Sequence, residues 1–257
     1  MHDWEPSQYL KFKNQRTQPS IDLANRIDIQ PPKRILDIGC GPGNSTEILK
    51  KRWPDAEVLG LDNSSNMIEE AKTALPHLQF ILKDTSDDLS ELGEFDVVFS
   101  NAALQWMPNH KVLIPKMFSQ VSDGGVLAVQ VPFAEDLPIY FVIREMIQSP
   151  KWRDYFKNPP NGPKHFDFQH FYEIISDLSP ALEMWQTEYI HEMDSHEDIL
   201  EWYKGSGMPP FLAMLQDKET KDEFCLDYFQ RIIHHYPIEN NGKILLPFPR
   251  FFFIVHN

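Results

Sequence analysis

Three glycines at alternate positions, Gly39, Gly41 and Gly43, directly follow a short apolar run and are the residues with the clearest chemical potential. This spacing lets the backbone bend tightly after a strand and approach a ligand where a Cβ atom would collide. A dinucleotide fingerprint would need a further glycine at Asn44, and a P-loop would need Gly-Lys followed by Ser or Thr at the helix start; neither is present. Asp37 instead places a carboxylate beside the loop. The loop therefore predicts a large ligand with a cationic portion, such as an amino group, in preference to a pyrophosphate.

Polar side chains also end the next three predicted strands. Asp62 closes the second strand, a position from which a carboxylate accepts both hydroxyls of a ribose. Asp84 closes the third, where it can meet the exocyclic amine of adenine, and Asn101 closes the fourth. Ligands of open α/β sheets bind outside the carboxyl ends of the strands. These residues predict a nucleoside ligand whose reacting end projects near Asn101.

Apolar runs alternate with amphipathic segments between residues 33 and 132, a pattern typical of βαβ units around a parallel sheet. It predicts strands at 34–37, 56–61, 79–82, 95–99 and 126–131, and helices at 45–53, 65–75 and within 111–121. The second half predicts helices at 139–148, 195–204 and 211–235, a Pro-rich loop at 149–164, and strands at 182–193 and 243–255. Pro247 and Pro249 predict a position at or near an edge of the sheet for the last strand, because proline has no N–H to donate.

Composition excludes several classes of protein. The 38 acidic against 24 basic residues give a net charge of −14, which repels polyanions and argues against a nucleic-acid partner. The two cysteines, Cys40 and Cys225, cannot build a disulfide framework or a Cys-rich zinc site, and the histidines show no metal-ligand spacing. No stretch approaches the roughly 18 apolar residues of a membrane span. We therefore expect a cytoplasmic protein with no metal and no membrane partner.

The glycine loop and the two acids together resemble the class I S-adenosylmethionine-dependent methyltransferases. The resemblance rests on Asp37-x-Gly39-x-Gly41-x-Gly43 followed by Asp62 and Asp84 at successive strand ends. It implies S-adenosylmethionine as the cofactor and a Rossmann-like α/β fold. That fold has a mostly parallel seven-stranded sheet, here with helical cover insertions.

A narrower resemblance covers nearly the whole chain. Its motifs are the segments 3–9, 41–46, 101–110, 127–130 and 245–250, which are similar to the trans-aconitate methyltransferases. The pair Gln105-Trp106 distinguishes that family from methyltransferases that share only the glycine loop. The family often has Met-Pro-Asp after the fifth strand, whereas this chain has Val131-Pro132-Phe133. The resemblance implies a small tricarboxylate acceptor like trans-aconitate, converted to its monomethyl ester.

These patterns and the resemblance give the following candidate site residues. The cofactor-binding candidates are Asp37, Gly39, Gly41, Gly43, Asn44, Asp62, Asn63, Met67, Asp84, Thr85, Asn101, Ala102, Tyr9 and Arg16. The substrate-binding candidates are Trp106, Arg144 and Arg250, and the positioning candidates are Gln105, Trp106 and His110, with no certain catalytic residue.

Several of these residues also have a structural interpretation. Trp106 lies against a ligand or is a core indole, and His110 is a general base or an exposed helix cap. Arg16 closes over the cofactor or forms a surface ion pair. Arg144 and Arg250 suit carboxylates because a guanidinium binds them in a bidentate way, but each can instead pair with the abundant acids.

The chain is expected to form one methyltransferase domain, 1–257, with a cofactor-binding core at 33–132 and helical cover insertions at 137–177 and 195–237. Its expected partner is a small carboxylic acid, and its expected state is a monomer or weak dimer. Two other functions stay open. One is a methyltransferase for a hydroxyl or amine of a small metabolite, which would need a base such as His110. The other is a cofactor-binding protein without turnover.

Overall fold

The computed structural model describes residues 13–133, 137–160 and 167–257, with side chains described from Thr17 onward. Two candidate cofactor residues, Tyr9 and the side chain of Arg16, lie outside the described residues. The strands are β1 (Arg34–Ile38), β2 (Glu57–Asp62), β3 (Gln79–Leu82), β4 (Phe95–Asn101), β5 (Val121–Pro132), β6 (Leu182–Met193) and β7 (Ile244–His256).

The strands form one seven-stranded sheet in the order β3-β2-β1-β4-β5-β7-β6. The pairs from β3 to β5 are parallel, and β7 runs antiparallel to β5, with Val126–Pro132 paired to Arg250–His256. The reversal of strand order beside β1 opens a crevice at the carboxyl ends of β1 and β4, the usual ligand position in such sheets. The predicted mostly parallel seven-stranded sheet is confirmed.

The helices supply the crossovers and most of the second half. They are α1 (Lys13–Arg26), α2 (Asn44–Arg52), α3 (Ser65–Ala74), α4 (His110–Phe118), α5 (Pro138–Gln148), α6 (Phe168–Ile175), α7 (His196–Lys204), α8 (Pro209–Leu212) and α9 (Lys218–Ile232). Ser64 caps α3 as predicted, since its hydroxyl accepts from the backbone N–H of Met67. Ser195 and Asp198 form a reciprocal capping box at the start of α7.

One of two predictions about the second half is wrong. The helix expected over 211–235 is interrupted, because Asp217 accepts from the backbone N–H of Thr220 and starts α9 afresh. The last strand lies near an edge, as predicted: β7 is the second strand from the end of the sheet, between β5 and the edge strand β6. Pro247 and Pro249 are tolerated because the pairing with β5 begins only at Arg250.

The chain divides into two compact units. The first, here called the sheet unit, comprises Lys13–Pro132, Phe166–Thr187 and Arg250–Asn257, and the second, the helical unit, includes Phe133–His165 and Glu188–Pro249. We expected 137–177 as one insertion, but α6 groups with the sheet unit. The reason is that Phe171 of α6 packs against Phe251 and Phe253 of β7, with ring centroids 5.5 Å and 5.6 Å apart.

The helical unit has its own aromatic core. Tyr203 of α7 stacks on Tyr228 of α9 at 5.2 Å, and Trp152 meets Phe224 edge to face at 5.0 Å. The indole N–H of Trp152 donates to Asp227 at 2.6 Å, which satisfies the one polar atom of a buried side chain. No helix among the described residues is long and apolar enough to cross a membrane.

Candidate active site

The glycine loop between β1 and α2 serves two different purposes. Gly39, Gly41 and Gly43 all have positive φ, at +72°, +54° and +90°. A Cβ at Gly39 would lie 2.3 Å from the Cβ of Ala103, so this glycine lets the loop pack on the segment after β4. A Cβ at Gly41 would meet no atom within 4 Å. Of these two glycines, only Gly41 faces open space that a ligand can use.

Asp37 is the most deeply buried acid of the site, with 0% of its surface exposed. Its Oδ2 accepts hydrogen bonds from the hydroxyls of Ser45 and Thr46, at 2.6 Å and 2.7 Å, and its Oδ1 has no hydrogen-bond partner. Burial raises the pKa of Asp37 to about 6, although both hydroxyls favour the charged form. An ionised Asp37 is thus prepared for a cationic group at Oδ1.

Replacing Asp37 with asparagine is expected to stabilise the protein at pH 7.5. The folded pKa of about 6 lies above the unfolded value of about 4, so ionisation opposes folding. The stability penalty grows as pH rises from about 4 to above 6 and reaches about 3 kcal/mol. Urea denaturation should show the variant more stable than the parent at pH 7.5 and equal to it at pH 4, while its affinity for S-adenosylmethionine falls.

Asp96 at the opposite end of the sheet provides the control. Burial pushes the pKa of Asp96 up, but hydrogen bonds from the backbone N–H groups of Arg34 and Lys33 outweigh it and leave the pKa below its ordinary value. Asp96→Asn should therefore lose stability at pH 7.5. Equal stabilities of Asp37→Asn and the parent at pH 7.5 would contradict the proposed cost of ionising Asp37.

Asp62 ties β2 to the glycine loop. Its Oδ2 accepts from the backbone N–H of Gly41 and its Oδ1 from that of Ser64, both at 2.9 Å. Burial raises the pKa of Asp62, and these bonds oppose the rise. Each carboxylate oxygen has a second lone pair, so two hydroxyls of a ribose can still donate to it. The Cys40 thiol beside the loop is buried, and burial raises its pKa well above the usual value, which excludes a thiolate nucleophile.

The ends of β2 and β3 meet through side chains. The amide of Asn63 donates to Oδ2 of Asp84 at 3.0 Å, and Ser86 donates to Oδ1 through both its N–H and its hydroxyl. The Asn63 bond and the Ser86 bonds lower the pKa of Asp84, so the carboxylate is charged at neutral pH. Met67 and Thr85 are buried next to these residues in the chain. Asp84 is therefore fixed in place, with lone pairs left for an amine.

The segment after β4 is sharply bent. Ala102 has a φ of +54°, which is uncommon for a residue with a Cβ, and its N–H donates to the carbonyl of Gln130 at 2.9 Å. A 3-10 turn, Leu104–Trp106, follows. The amide nitrogen of Gln105 donates to the carbonyl of Ala102 at 2.6 Å, while Trp106 is half-buried. Trp106 is therefore not a fully buried core indole.

His110 is neither an exposed cap nor an available base. It begins α4 as expected but is only 2% exposed. Its Nε2 lies 2.8 Å from the carbonyl of Leu104, which can only accept, so Nε2 carries the proton. Its Nδ1 lies 3.2 Å from Nε2 of His170, a residue that the sequence did not single out. Both ring nitrogens of His110 therefore bond within the fold.

The substitution His110→Ala is expected to lower the free energy of unfolding by about 1–3 kcal/mol, because it removes a buried ring and one of the two hydrogen bonds that the carbonyl of Leu104 accepts, the other coming from the N–H of Met107. The turn that carries Trp106 should loosen, with a loss in kcat of less than about tenfold. His77→Ala, at an exposed position, is the control and should change neither quantity. A loss of activity beyond a hundredfold at unchanged stability would instead favour a general base.

The two candidate arginines lie in different units. Arg250 belongs to β7 in the sheet unit and is 5% exposed. It is paired with Pro132, and Phe252 with Gln130, so Arg250 and Phe252 share a sheet face with Gln130. Arg144 lies half-buried on α5 in the helical unit, where its charge opposes the rise that burial causes in the pKa of Tyr203.

Buried polar atoms without a hydrogen-bond partner gather at the carboxyl ends of β1, β4 and β5. They are Oδ1 of Asp37, Nδ2 of Asn44, Oδ1 of Asn101, Oε1 of Gln105 and both amide atoms of Gln130. Such atoms are rare in folded proteins unless a ligand or water satisfies them. Together with the open space at Gly41, they fit a ligand that carries an amino group, a carboxylate and a nucleoside. No group of three metal-ligating side chains occurs within the described ranges.

Sequence comparisons identify relatives along the whole chain. A family model described as a methyltransferase domain matches residues 35–125. A trans-aconitate 2-methyltransferase from Enterobacter sp. (strain 638) is 38% identical over 254 residues, covering 99% of this chain and 98% of that protein. A trans-aconitate 2-methyltransferase from Escherichia coli (strain K12 / DH10B) is 37% identical with the same coverage.

Solved structures show the same fold at low identity. The YcgJ protein from Bacillus subtilis matches with a TM-score of 0.60 and 13% identity, covering 93% of this chain and 98% of that chain. Coclaurine N-methyltransferase bound to N-methylheliamine and SAH matches with a TM-score of 0.58 and 15% identity, covering 100% of this chain and 83% of that chain. The Rossmann-like methyltransferase fold is therefore confirmed.

Proposed function

Because this chain belongs to the trans-aconitate 2-methyltransferase family, we propose that its methyl acceptor is trans-aconitate, which it converts to a monomethyl ester. The chain is an S-adenosylmethionine-dependent methyltransferase, as the resemblance to the class I methyltransferases predicted. The observation that carries the acceptor assignment is the extent of the similarity. It covers 254 residues and so reaches far beyond the 35–125 methyltransferase domain. The segments outside that domain include Arg144 and Arg250, the candidate acceptor residues.

The residues at the carboxyl ends of the strands fit the cofactor. Asp62 would accept hydrogen bonds from the ribose hydroxyls, and Asp84 from the adenine amine. The backbone of Gly41 would lie close to the ligand. Asp37 and Asn101 would lie toward its methionine portion. When bound, S-adenosylmethionine supplies an electrophilic methyl group. Asp37 is ionised above a pH of about 6, so its unpartnered Oδ1 offers a negative charge to the methionine amino group.

A carboxylate acceptor makes a general base unnecessary. Its oxygen is already ionised at neutral pH, so the chain has to align it with the methyl group and exclude water. This agrees with a His110 whose ring nitrogens both bond within the fold. The half-buried Trp106 offers an apolar wall, and the buried Arg250 offers a bidentate donor for a second carboxylate.

The net charge of −14 makes a local positive group necessary for such an acceptor. A trianion is repelled by the protein at long range, and its carboxylates exchange strong hydration for donors in the site. Arg250 is buried, and removing one partner of a buried charge pair costs far more than removing one partner of an exposed pair. We also propose that the protein acts in the cytoplasm, as a monomer or weak dimer, without nucleic-acid or membrane partners.

The test is turnover with isotopically labelled S-adenosylmethionine and a panel of acceptors. The panel contains trans-aconitate, other tricarboxylates, dicarboxylates, and matched alcohols and amines. A labelled monomethyl ester of trans-aconitate, formed with the highest kcat/KM of the panel, is the expected result. Transfer only to an alcohol or amine would move the assignment to the alternative acceptor class, and binding of the cofactor without any transfer would favour a non-catalytic protein.

A further inference from the structure

Gln130 is a fully buried polar residue of the sheet whose side-chain amide has no hydrogen-bond partner. It lies in β5 within the apolar run Val126–Val131, and none of its surface is exposed. Neither its Oε1 nor its Nε2 has a hydrogen-bond partner. A primary amide buried in this way loses its hydration without compensation, which costs several kcal/mol if nothing binds it. The unpartnered amide therefore destabilises the fold, although the rest of the strand around it is apolar.

The strand register places Gln130 in one row with the cofactor-binding residues. Asp37 pairs with Gly60 of β2 and with Phe99 of β4, and Asp62 and Asn101 each lie two residues further along their strands, on the same face. Asn101 pairs in turn with Gln130. Residues paired across neighbouring strands point to the same face of a sheet. The amide of Gln130 therefore lies on the same face as Asp62 and Asn101.

The order of the strands indicates which part of the ligand is expected beside each strand. Ribose belongs at β2, the methionine portion at the loop after β1, and the reacting end at Asn101 on β4. Gln130 on β5 is one strand further, about 5 Å beyond Asn101. On its other side Phe252 of β7 stacks under Trp185 with ring centroids 4.9 Å apart, which closes the row with an apolar wall. The polar part of the row thus ends at Gln130, where a molecule reacting with the cofactor has to lie.

We propose that Gln130 binds the carboxylate that receives the methyl group, an inference that rests on the proposed function. Its Nε2 donates to one carboxylate oxygen and so directs the other toward the methyl carbon. That oxygen forms the new O–CH₃ bond as the S–CH₃ bond breaks, and the electron pair of the broken bond returns to sulfur. No proton is transferred. A neutral amide orients the carboxylate but leaves more negative charge on the attacking oxygen than a guanidinium would.

The first test compares two buried glutamines. Gln130→Leu removes an amide that has no partner in the fold, so the melting temperature should stay equal or rise. The acceptor kcat/KM should fall between about ten- and a hundredfold, as expected for a lost hydrogen bond to a charged group, with unchanged cofactor affinity. Gln120 is the control, because its amide nitrogen, in the orientation that satisfies it, faces the carbonyls of Leu89 at 2.9 Å and Gly93 at 3.3 Å. Gln120→Leu should lower the melting temperature and leave the acceptor kcat/KM unchanged.

The second test uses Gln130→Glu and pH. As a carboxylate, the new side chain repels the acceptor, whereas its protonated form again carries a donor. The acceptor kcat/KM of this variant, relative to the parent, should therefore rise as pH falls from 8 to 6. The same ratio for Gln130→Leu should be independent of pH. A packing role alone would change the melting temperature and the cofactor affinity of Gln130→Glu together with its activity as pH falls, so both are measured alongside. A pH dependence confined to the acceptor kcat/KM supports a donor at residue 130, and one shared by cofactor affinity overturns it.

The outcomes separate this inference from the proposed function. If the parent enzyme methylates no acid of the panel, the proposed function fails, whatever the variants do. If the parent methylates trans-aconitate and Gln130→Leu retains its acceptor kcat/KM, the role of Gln130 is overturned. A variant that loses cofactor affinity instead of acceptor kcat/KM also overturns it, because Gln130 would then belong to the cofactor site.

Discussion

Replacement of Gly41 by valine should weaken binding of S-adenosylmethionine by more than a hundredfold. Gly41 has a φ of +54°, and a Cβ there meets no protein atom within 4 Å, so the added side chain enters the space left for the ligand. The backbone N–H of Gly41 also donates to Asp62, and a strained residue disturbs this bond. Two losses therefore coincide: part of the ligand volume is filled, and the candidate ribose carboxylate is displaced. Titration calorimetry measures the effect directly.

Gly124 offers a matched control for this prediction. Its φ is +75°, and a Cβ there also meets no atom within 4 Å, but it lies near the start of β5, at the opposite end of the strand from Gln130. Gly124→Val should cost a similar backbone strain, about 1–2 kcal/mol, and leave cofactor affinity unchanged. If both valine variants lost the same affinity, the effect of Gly41 would be one of general stability and its assignment to the ligand space would fail.

The positions of the candidate cofactor residues in the fold could be predicted because their signals are local. A glycine loop directly after a strand, and acids directly after the next strands, are read within a few residues of sequence. Asp37, Asp62 and Asp84 lie at the ends of their strands or just beyond, as expected. The hydroxyls of Ser45 and Thr46, which hold Asp37, could have been found from their place at the helix start. The spacing of the glycines does not show which protein atoms lie near each of them.

The surroundings of the candidate acceptor residues could not be predicted, because they are formed by contacts between residues that are far apart in the sequence. Gln130 stands beside Phe252, and His110 beside His170, through contacts separated by many residues. The local signals for Gln130 were its place at the end of the 127–130 motif and its polar side chain in an apolar strand. The prolines, in contrast, are a local signal, and they correctly placed β7 at or near an edge of the sheet. In the structure, the prolines precede the part of β7 that pairs with β5.

The acceptor site is expected to depend most on Arg250. Arg250→Met should lower the acceptor kcat/KM by about a hundredfold or more, since truncating one partner of a buried charge pair costs several kcal/mol. Cofactor affinity should change little, because Asp62, Gly41 and Asp84 are untouched. Arg250→Lys keeps the charge but loses the planar fork, so its loss should be smaller yet clear. Steady-state kinetics with trans-aconitate at two ionic strengths measure these changes.

Variants of two further arginines test whether the loss of acceptor kcat/KM is specific to Arg250. Arg52→Met removes a positive charge at the exposed end of α2 and should change acceptor kinetics only slightly, by an amount that salt removes. The deficit of Arg250→Met should persist at high salt, because a buried pair is screened much less than a surface charge. Arg144→Met tests the second predicted arginine by itself: an unchanged acceptor kcat/KM would remove Arg144 from the candidates. Unchanged acceptor kinetics in the Arg250 variants would remove that residue from the site, and a neutral amide such as Gln130 would then be the donor that remains for a carboxylate.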